Sequence, residues 1–584
     1  MSEASDFVQP EKRVAGWKIT GKWGEWLAAT GLSLVLVALT TVPYILGYAL
    51  SGTDKEFSGV IMNPEDSNSY LAKMQEGYAG EWLYTIPYTS EAQRPEFLGG
   101  FYMLLGHLAR LSGLSVLAMW HLSRLVTGVL LCLVVFSFIS RFIRDPVARW
   151  FAFLLALTGS GLGWVLFMFG QKDWLGFFPV DFKMPEAHLF FTLLTFPHFI
   201  MGTTLILVSV GLTFRMLETG QLRHALGAGI SNFGLSIVYP FLIYLVATIL
   251  LLNWLMLVWE ERDRYMQWFR QRGVSAEPAQ LRRIVGDRGI RAAFLGAISM
   301  LIPAPLLLYY LWVLRTNPIF QAWDAQSITP SPNPLHYVLA YLPMFVLAAP
   351  ALRDRRLRGL WLWVLAVGLL VYAPLNPQRR FIEGVQVPLA ILAAGGLMAY
   401  YLPRLCATQM FQVVSSRPGY SAAGLQRLVL ILLLFVFAIS NFYILASTSL
   451  TAAADQPYPL FRSPAEFQAV RWMGANLPSG AVVLATYEIG SLIPTRTNLK
   501  VVIGHWAETP NFIDKYSEIE KFFTPVTSDR FRRDLIASER VDYILYSPTE
   551  KNLGDWDIED QPYLRRIYTN TQITIYAVTR QGGQ

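Results

Sequence analysis

Residues 63–81 read NPEDSNSYLAKMQEGYAGE and follow shortly after the first long apolar run of the chain. Asn63 is a residue type that caps helices, and Pro64 suits the first helical position. Glu65 and Asp66 then fall in the first turn, where the helix dipole favours negative charge. The stretch therefore predicts a helix that begins at Pro64 and carries an acidic pair at its start.

The rest of the stretch predicts a short amphipathic helix. Tyr70, Met74 and Tyr78 recur every four residues and so share one face. Gly77 and Gly80 are expected to end the helix, because glycine is common just past helix ends.

The composition of the chain is that of a membrane protein. Of its 584 residues, 53% are hydrophobic and 15% are charged, and the mean hydropathy is +0.37. These values exclude an ordinary soluble protein and indicate many membrane spans.

Long apolar runs predict about eleven transmembrane helices. The fifth and sixth runs meet at Tyr239–Pro240, and a single helix interrupted by proline would reduce the count to ten. The first run has no small-residue cleavage site, so it is interpreted as a retained anchor. The predicted spans are 25–50, 117–140, 148–170, 188–217, 225–239, 240–259, 292–314, 335–352, 359–374, 385–402 and 428–447.

Charge bias predicts the orientation in the plasma membrane. With the tail 1–24 in the cytoplasm, the inner segments carry 24 Lys and Arg and the outer segments carry 9. The net charge of +7 is therefore attributed to topology, and no nucleic-acid partner is expected. The same scheme places the first loop, 51–116, outside, with 97–114 as a second juxtamembrane helix beside the acidic one.

The chain after the last span is expected to fold separately. The predicted polytopic domain covers 25–447, and 452–584 is predicted to be a small extracytoplasmic α/β domain. The strands are predicted at 481–486, 500–503, 543–546 and 573–578, with helices at 465–476 and 512–523.

These features together resemble the C-type (GT-C) integral-membrane glycosyltransferases, which include the protein O-mannosyltransferases, the aminoarabinose transferases and, more distantly, the oligosaccharyltransferases. The motifs that carry the resemblance are Glu65-Asp66-x-x-x-Tyr70-Leu71-Ala72, Gly80-Glu81-Trp82 and His121-Leu122-x-Arg124-Leu125. The family's usual Lys-Pro-Pro is absent, and Arg94-Pro95-Glu96 stands near its place. Because this motif differs from the family's pattern, the sequence does not identify the subfamily.

The resemblance implies transfer of a sugar from a polyprenyl-phosphate donor to a lipid, glycan or protein acceptor on the outer face of the membrane. Membrane lipids are further expected partners of the chain. An inverting transfer needs a carboxylate that takes the proton of the acceptor hydroxyl. Asp66 is the expected base, with Glu65 as its substitute and Tyr70 as a substrate contact. The alternative, that both acids only cap the helix, stays open at this point.

The second predicted outer loop and the next span supply further acids and histidines. Asp173, Asp181 and Glu186 are candidates for the second acid that the family often takes from this loop, and His188 and His198 are candidate substrate contacts. Their alternative is ordinary solvated or satisfied side chains. No cofactor is predicted. A divalent metal held by Asp66, Asp181 and His188 stays an open alternative, although the spacing matches no metal motif.

Arg379 and Arg380 are the expected binders of the donor phosphate. They stand in a short outer loop, on the side where cations are scarce, and guanidinium groups bind phosphate in a bidentate fork. The alternative is contact with lipid headgroups. Arg124, close to the start of the second span, is a lesser candidate because a charge there needs a partner or a cavity.

The segment 503–510, IGHWAETP, predicts a glycine-containing turn between a strand and a helix. His505 is a candidate substrate contact there, and Thr509 a candidate cap for the helix that follows. The alternative is a purely structural turn.

A second class of function is a non-catalytic transporter or lipid-binding scaffold. A transporter is expected to place ionisable residues within its spans, whereas polar residues here concentrate in the outer segments. The enzyme interpretation is therefore preferred.

Overall fold

The computed structural model describes residues 21–271, 278–554 and 556–579. Residues 1–20 of the predicted cytoplasmic tail and residues 272–277 of a predicted inner loop lie outside this part. The described chain is an α-helical protein with several membrane-crossing helices and a small α/β fold in its C-terminal region.

The helices follow the apolar runs of the sequence and are interrupted at proline and glycine. The α-helices are Gly21–Leu39, Val42–Ala49, Pro64–Ala79, Gly100–Ser112, Val116–Phe142, Pro146–Thr158, Gly163–Met168, Val180–Lys183, Leu189–Leu194, Pro197–Thr219, Leu222–Val238, Leu242–Gln271, Pro278–Leu301, Ala304–Thr316, Pro318–Gln326, Pro334–Ala348, Arg358–Leu370, Gln386–Gly396, Leu402–Cys406, Gln409–Ser415, Ala422–Phe437, Ile439–Leu450, Pro464–Asn476, Tyr487–Leu492, Phe512–Phe523, Asp529–Ser538 and Pro548–Asn552. The 3-10 turns are Trp174–Gly176, Pro185–Ala187, Ala349–Arg353, Arg355–Leu357, Gln378–Ile382 and Ile493–Thr495. Leu397–Tyr401 and Thr451–Asp455 are π-helical.

Six helical segments of the described chain are long and apolar enough to cross a membrane, or eight if two bent helix pairs each count as one span. The predicted count of eleven is not confirmed. Three of the predicted spans contain shorter helices, Pro146–Thr158, Leu222–Val238 and Arg358–Leu370. The fifth and sixth predicted spans are two separate helices, because the chain breaks between Val238 and Leu242 at Pro240.

The chain divides into two compact units. In the described part, the first unit contains residues 21–40, 124–307 and 329–447. The second contains 41–123, 308–328 and 448–579, so the first predicted outer loop belongs to the same unit as the C-terminal region. The proposed boundaries of a membrane domain and an outer domain stay a prediction.

The second unit contains a five-stranded sheet. Its strands lie in the order Lys500–Val501, Val482–Leu484, Tyr543–Tyr546, Thr574–Val578 and Leu564–Thr569. The first three strands pair in parallel with one another. Thr574–Val578 pairs antiparallel with both of its neighbours, Tyr543–Tyr546 and Leu564–Thr569. Apolar residues of the sheet and of the helices Phe512–Phe523 and Asp529–Ser538 form one buried core. A separate antiparallel pair joins Glu56–Phe57 to Phe461–Arg462.

The predicted acidic helix is present as Pro64–Ala79, and Gly80 ends it in the left-handed conformation at φ 111°. Asn63 occupies the capping position, but its side chain makes no capping hydrogen bond, which corrects the sequence prediction. Gly77 does not end the helix; a Cβ there would lie 2.2 Å from the backbone oxygen of Met103, so glycine allows close packing against Gly100–Ser112.

Candidate functional sites

In the second unit, Asp66 of the acidic helix faces His505. The Oδ1 atom of Asp66 lies 3.6 Å from Nε2 of His505, and 29% of the Asp66 side chain is exposed, against 5% for His505. The carboxylate therefore combines access to solvent with a buried polar neighbour. This is the environment expected of a base that takes a proton from a bound hydroxyl group.

The turn at 504–509 holds the His505 ring from the other side. The backbone amides of Ala507 and Glu508 both donate to Nδ1 of His505 at 3.2 Å. Thr509 does not cap the following helix as predicted; its hydroxyl donates to the carbonyl of Tyr88 and accepts from the amide of Gly504. The turn is thus closed by its own side chains.

Lys73, further along the acidic helix, forms a buried ion pair with Glu508 of the turn at 504–509. Their Nζ and Oε1 atoms lie 2.5 Å apart, and Glu508 also accepts hydrogen bonds from Ser69 at 2.5 Å and Tyr84 at 2.8 Å. Burial alone would favour the neutral acid, but electrostatic attraction to Lys73, a further electrostatic effect of His505, and the hydrogen bonds from Lys73 and Ser69 together outweigh burial and lower the pKa of Glu508. Glu508 is therefore a charged residue that connects the turn at 504–509 to the acidic helix.

Glu65, the alternative base, contacts the side chain of Tyr487. It accepts a hydrogen bond from Tyr487, and the pKa of that phenol is raised first by burial and then by the negative charge of Glu65. One turn later, Asn68 donates to Ser491 at 3.0 Å. Glu65 is therefore bound by a tyrosine, whereas its neighbour Asp66 lies beside His505.

In the first unit, Glu186 lies beside Arg379 and Arg380. Its Oε1 atom is 3.5 Å from Nη1 of Arg380 and 3.9 Å from Nε of Arg379, and only 1% of its side chain is exposed. Neither carboxylate oxygen of Glu186 has a hydrogen-bond partner among the described residues, and the same is true of Nε of Arg379. Such a cluster retains binding capacity, because buried polar groups are normally hydrogen-bonded.

Buried side chains form hydrogen bonds to the backbone around this cluster. The hydroxyl of Tyr341 donates to the carbonyl of Ala187, and that of Thr192 donates to the carbonyl of Pro185. The amide of Arg379 donates to the carbonyl of Thr329 at 3.2 Å. The acid and the two cations are therefore held by separate elements of one unit.

Glu383 adds a second buried carboxylate on the same chain segment as the two arginines. It is fully buried, and its Oε1 accepts from the hydroxyl of Thr203 at 3.0 Å. Its Oε2 has no hydrogen-bond partner within the part that the structure describes. Sequence reasoning missed Glu383, although an acid inside an apolar segment is a signal of function.

Asp181 has mainly structural contacts. Its Oδ2 accepts from the amide of Gly163 at 2.9 Å and the hydroxyl of Ser440 at 2.7 Å, and its Oδ1 lies 3.3 Å from Nε2 of His188. Both residues are buried. The structure thus brings Asp181 and His188 together.

The remaining predicted residues lie in other surroundings. Asp173 is exposed. Arg124 is buried and donates to the carbonyls of Thr40 and Leu193 at 3.4 and 3.2 Å. The His198 ring packs against aromatic rings, with a centroid distance of 4.3 Å to Phe199.

Tyr70 stacks on Tyr102 at 4.6 Å between ring centroids. Within the described residues, no three His, Cys, Asp or Glu side chains are grouped to hold a metal ion.

No protein-family model and no curated protein matches the chain. Similar solved structures include the oligosaccharyltransferase AglB of Archaeoglobus fulgidus in complex with an inhibitory peptide and a dolichol-phosphate, which is 14% identical with a TM-score of 0.46, over 94% of this chain and 74% of that one.

Two further similar structures are known. ArnT of Cupriavidus metallidurans bound to undecaprenyl phosphate is 12% identical with a TM-score of 0.47, over 95% of this chain and 100% of that one. The arabinofuranosyltransferase AftD from Mycobacteria is 13% identical with a TM-score of 0.45, over 94% of this chain and 40% of that one. The residue roles proposed below rest on the chemistry of this chain.

Proposed function

We propose that this chain is an integral-membrane glycosyltransferase that moves a sugar from a polyprenyl-phosphate donor to an acceptor hydroxyl group with inversion. The observation that carries the proposal is the placement of Asp66, a partly exposed carboxylate that lies 3.6 Å from a buried histidine. The reaction class comes from the resemblance of the sequence motifs around 65–82 and 121–125 to the C-type transferases.

In this reaction the oxygen of the acceptor hydroxyl forms a bond to the anomeric carbon of the sugar. The bond from that carbon to the phosphate oxygen breaks, and its electron pair leaves with the polyprenyl phosphate. Asp66 takes the proton of the hydroxyl group, so charge and atoms balance. A general base contributes typically about 10²–10⁴-fold to such a step.

The role proposed for Arg379 and Arg380 is to bind the donor phosphate. In the first unit they lie beside Glu186 at 3.5–3.9 Å, distances longer than those of a tight ion pair. A phosphate offers more acceptor oxygens than the carboxylate, and the guanidinium fork can bind a phosphate in a bidentate manner. In this proposal Glu186 lies beside the two arginines before the donor binds, and the donor phosphate becomes their partner afterwards.

Replacing Arg379 or Arg380 by Lys is expected to weaken donor binding by about 10- to 100-fold, the value of a charge-assisted hydrogen bond. Lysine keeps the positive charge beside Glu186, so the protein should stay folded, but it loses the fork geometry. Equilibrium binding of a polyprenyl-phosphate sugar to the purified variants measures the effect.

The control for this experiment is Arg356→Lys, an exposed arginine paired with Asp354. It should bind the donor as the wild type does. A variant pair Arg380→Met with Glu186→Gln, in which both charges are removed together, should fold and still bind poorly. Donor affinity unchanged in both single lysine variants and in this pair would remove the two arginines from the donor site.

A second candidate function, a transporter without catalysis, is favoured by Glu383. This acid is fully buried within Gln378–Cys406, a segment apolar enough to cross a membrane. Ionisable residues in such places mark transport pathways as well as active sites. Incubation of the purified protein with a panel of polyprenyl-phosphate sugars and acceptors separates the two, because only the transferase releases polyprenyl phosphate.

The proposed orientation has the C-terminal region outside the plasma membrane. Cysteine labelling tests it in a Cys406→Ser background with exposed reporter positions: Val526, 92% exposed, and Arg356, whose side chain is 62% exposed. An impermeant reagent added to intact cells should label Val526→Cys and spare Arg356→Cys; the reverse pattern would overturn the orientation.

A further inference from the structure

We propose that His505 is a positioning residue for Asp66, and that its Nε2–H donates to the Asp66 carboxylate when substrate is bound. The proposal rests on the proposed function, because it assigns a helper to the base of that reaction. All the residues involved belong to the second unit. The evidence is the hydrogen bonding of the imidazole, its surroundings and its distance from the acid.

The hydrogen bonds at Nδ1 determine which ring nitrogen carries the proton. Two backbone amides, those of Ala507 and Glu508, donate to Nδ1 at 3.2 Å. A nitrogen that accepts these bonds carries no hydrogen, and neutral imidazole has one donor and one acceptor nitrogen. The ring hydrogen of neutral His505 is therefore on Nε2, on the side of Asp66.

Among the described residues, the Nε2–H donor has no competing hydrogen-bond partner. It is buried and makes no hydrogen bond to any described residue, while Oδ1 of Asp66 lies 3.6 Å away. A movement of about 0.7 Å would bring the two atoms to the usual hydrogen-bond distance of about 2.9 Å. Because an unpaired buried donor is unfavourable, closure of this gap is favoured.

The histidine is the fixed member of the pair. Its side chain is 5% exposed and its ring contacts those of Tyr88 and Trp506, at centroid distances of 5.8 and 6.1 Å. The amide of Thr509 also donates to the His505 carbonyl at 2.9 Å. Asp66 is more exposed, so closing the gap moves the aspartate toward a fixed donor.

The consequence for the reaction is orientation of the base. With Oδ1 held by His505, the Asp66 carboxylate is oriented to accept the proton of the acceptor hydroxyl group. The hydrogen on Nε2 stays with the histidine throughout. His505 therefore acts through Asp66 and transfers no proton itself.

Two substitutions of His505 separate its two nitrogens. In His505→Asn the side-chain oxygen lies near the position of Nδ1 and can still accept from the two amides, but the donor to Asp66 is lost. In His505→Gln the amide nitrogen lies near the position of Nε2 and can still donate, but the acceptor for the turn is lost. The first variant tests the contact with Asp66 and the second tests the turn.

His505→Asn is expected to lower kcat by about 10- to 100-fold, the value of a hydrogen bond to a charged group, with KM for both substrates nearly unchanged. His505→Gln should recover part of kcat while lowering Tm. On an Asp66→Asn background, His505→Asn should cause no further loss, because the two residues act as one unit. A kcat of His505→Asn within twofold of the wild type, or losses that simply add, would overturn the proposal.

A spectroscopic readout tests the same contact without turnover. In ¹⁵N-histidine NMR of the full chain, the signal that disappears in His505→Asn identifies this residue among the seven histidines. It should show a hydrogen on Nε2, and Asp66→Asn should shift that signal while Glu65→Gln leaves it in place. A hydrogen on Nδ1 would refute the proposal. An inactive wild type with the expected NMR pattern would instead refute only the proposed function.

Discussion

Asp66→Asn is expected to lower sugar transfer by roughly 10²–10⁴-fold while leaving the protein folded. The amide keeps the shape of the side chain at the start of the helix but cannot accept the proton of the acceptor at neutral pH. The favourable effect of a negative charge in the first turn is lost as well, but that is worth only about 0.3–1 kcal/mol. Turnover with saturating donor and acceptor measures the chemical effect, and Tm measures the structural one.

Glu65→Gln is the matched control, because Glu65 precedes Asp66 in the same helical turn and contacts Tyr487. It removes the same charge from the same helix end, so it should reproduce any loss that comes from the helix dipole alone. Transfer within a few fold of the wild type is expected for Glu65→Gln. The same mild result for Asp66→Asn would make Asp66 a helix-capping residue without a role in catalysis.

Lys73→Met is expected to lower the free energy of unfolding by about 3–5 kcal/mol, the usual cost of removing one partner from a buried ion pair. Methionine fills similar space but leaves the Glu508 carboxylate buried without its cation. The side chains of Lys73 and Glu508 are 10% and 3% exposed, so solvent compensates little. Thermal or denaturant unfolding of the purified protein measures the change.

The double variant Lys73→Met with Glu508→Gln is the matched comparison. It removes both charges, and Ser69 and Tyr84 can still hydrogen-bond the amide, so it should regain most of the lost stability. Lys55→Met, an exposed lysine on a backbone carbonyl, should unfold as the wild type does. An unchanged Tm for Lys73→Met would mean that the pair contributes nothing to stability.

The pH dependence of the wild type follows from the same pair. The fold lowers the pKa of Glu508 below its ordinary value of 4.5, so the folded state holds this group charged more easily than the unfolded chain does. Its contribution to stability is complete above the unfolded pKa and is lost as pH falls through the lowered folded value.

Local chemistry in the sequence determined the acidic helix. Proline at the first position, acids in the first turn and glycine past the end are signals that act within a few residues, and the helix is found at Pro64–Ala79. The strands Val482–Leu484, Lys500–Val501, Tyr543–Tyr546 and Thr574–Val578 were predictable for a similar reason, because their apolar β-branched and aromatic side chains fill a core.

One strand of the five-stranded sheet was missed, and the reason is its position at the edge of that sheet. Leu564–Thr569 contains Arg565 and Arg566, both exposed, and pairs on one side only, with Thr574–Val578. An edge strand needs few buried side chains, so its sequence lacks the apolar pattern by which strands are predicted. The apolar runs likewise predicted spans but not where helices such as Pro146–Thr158 end.

The residue types at the candidate sites can be identified from the sequence alone: the acid at 66, the turn at 503–510 and the arginines at 379–380. Only the tertiary structure decided that Asp66 meets His505, that Lys73 meets Glu508 and that Glu186 meets Arg380. The physical reason is distance along the chain. Ser69 and its partner Glu508 are 439 residues apart, and contacts at such separations depend on how whole elements pack, which local propensity does not encode.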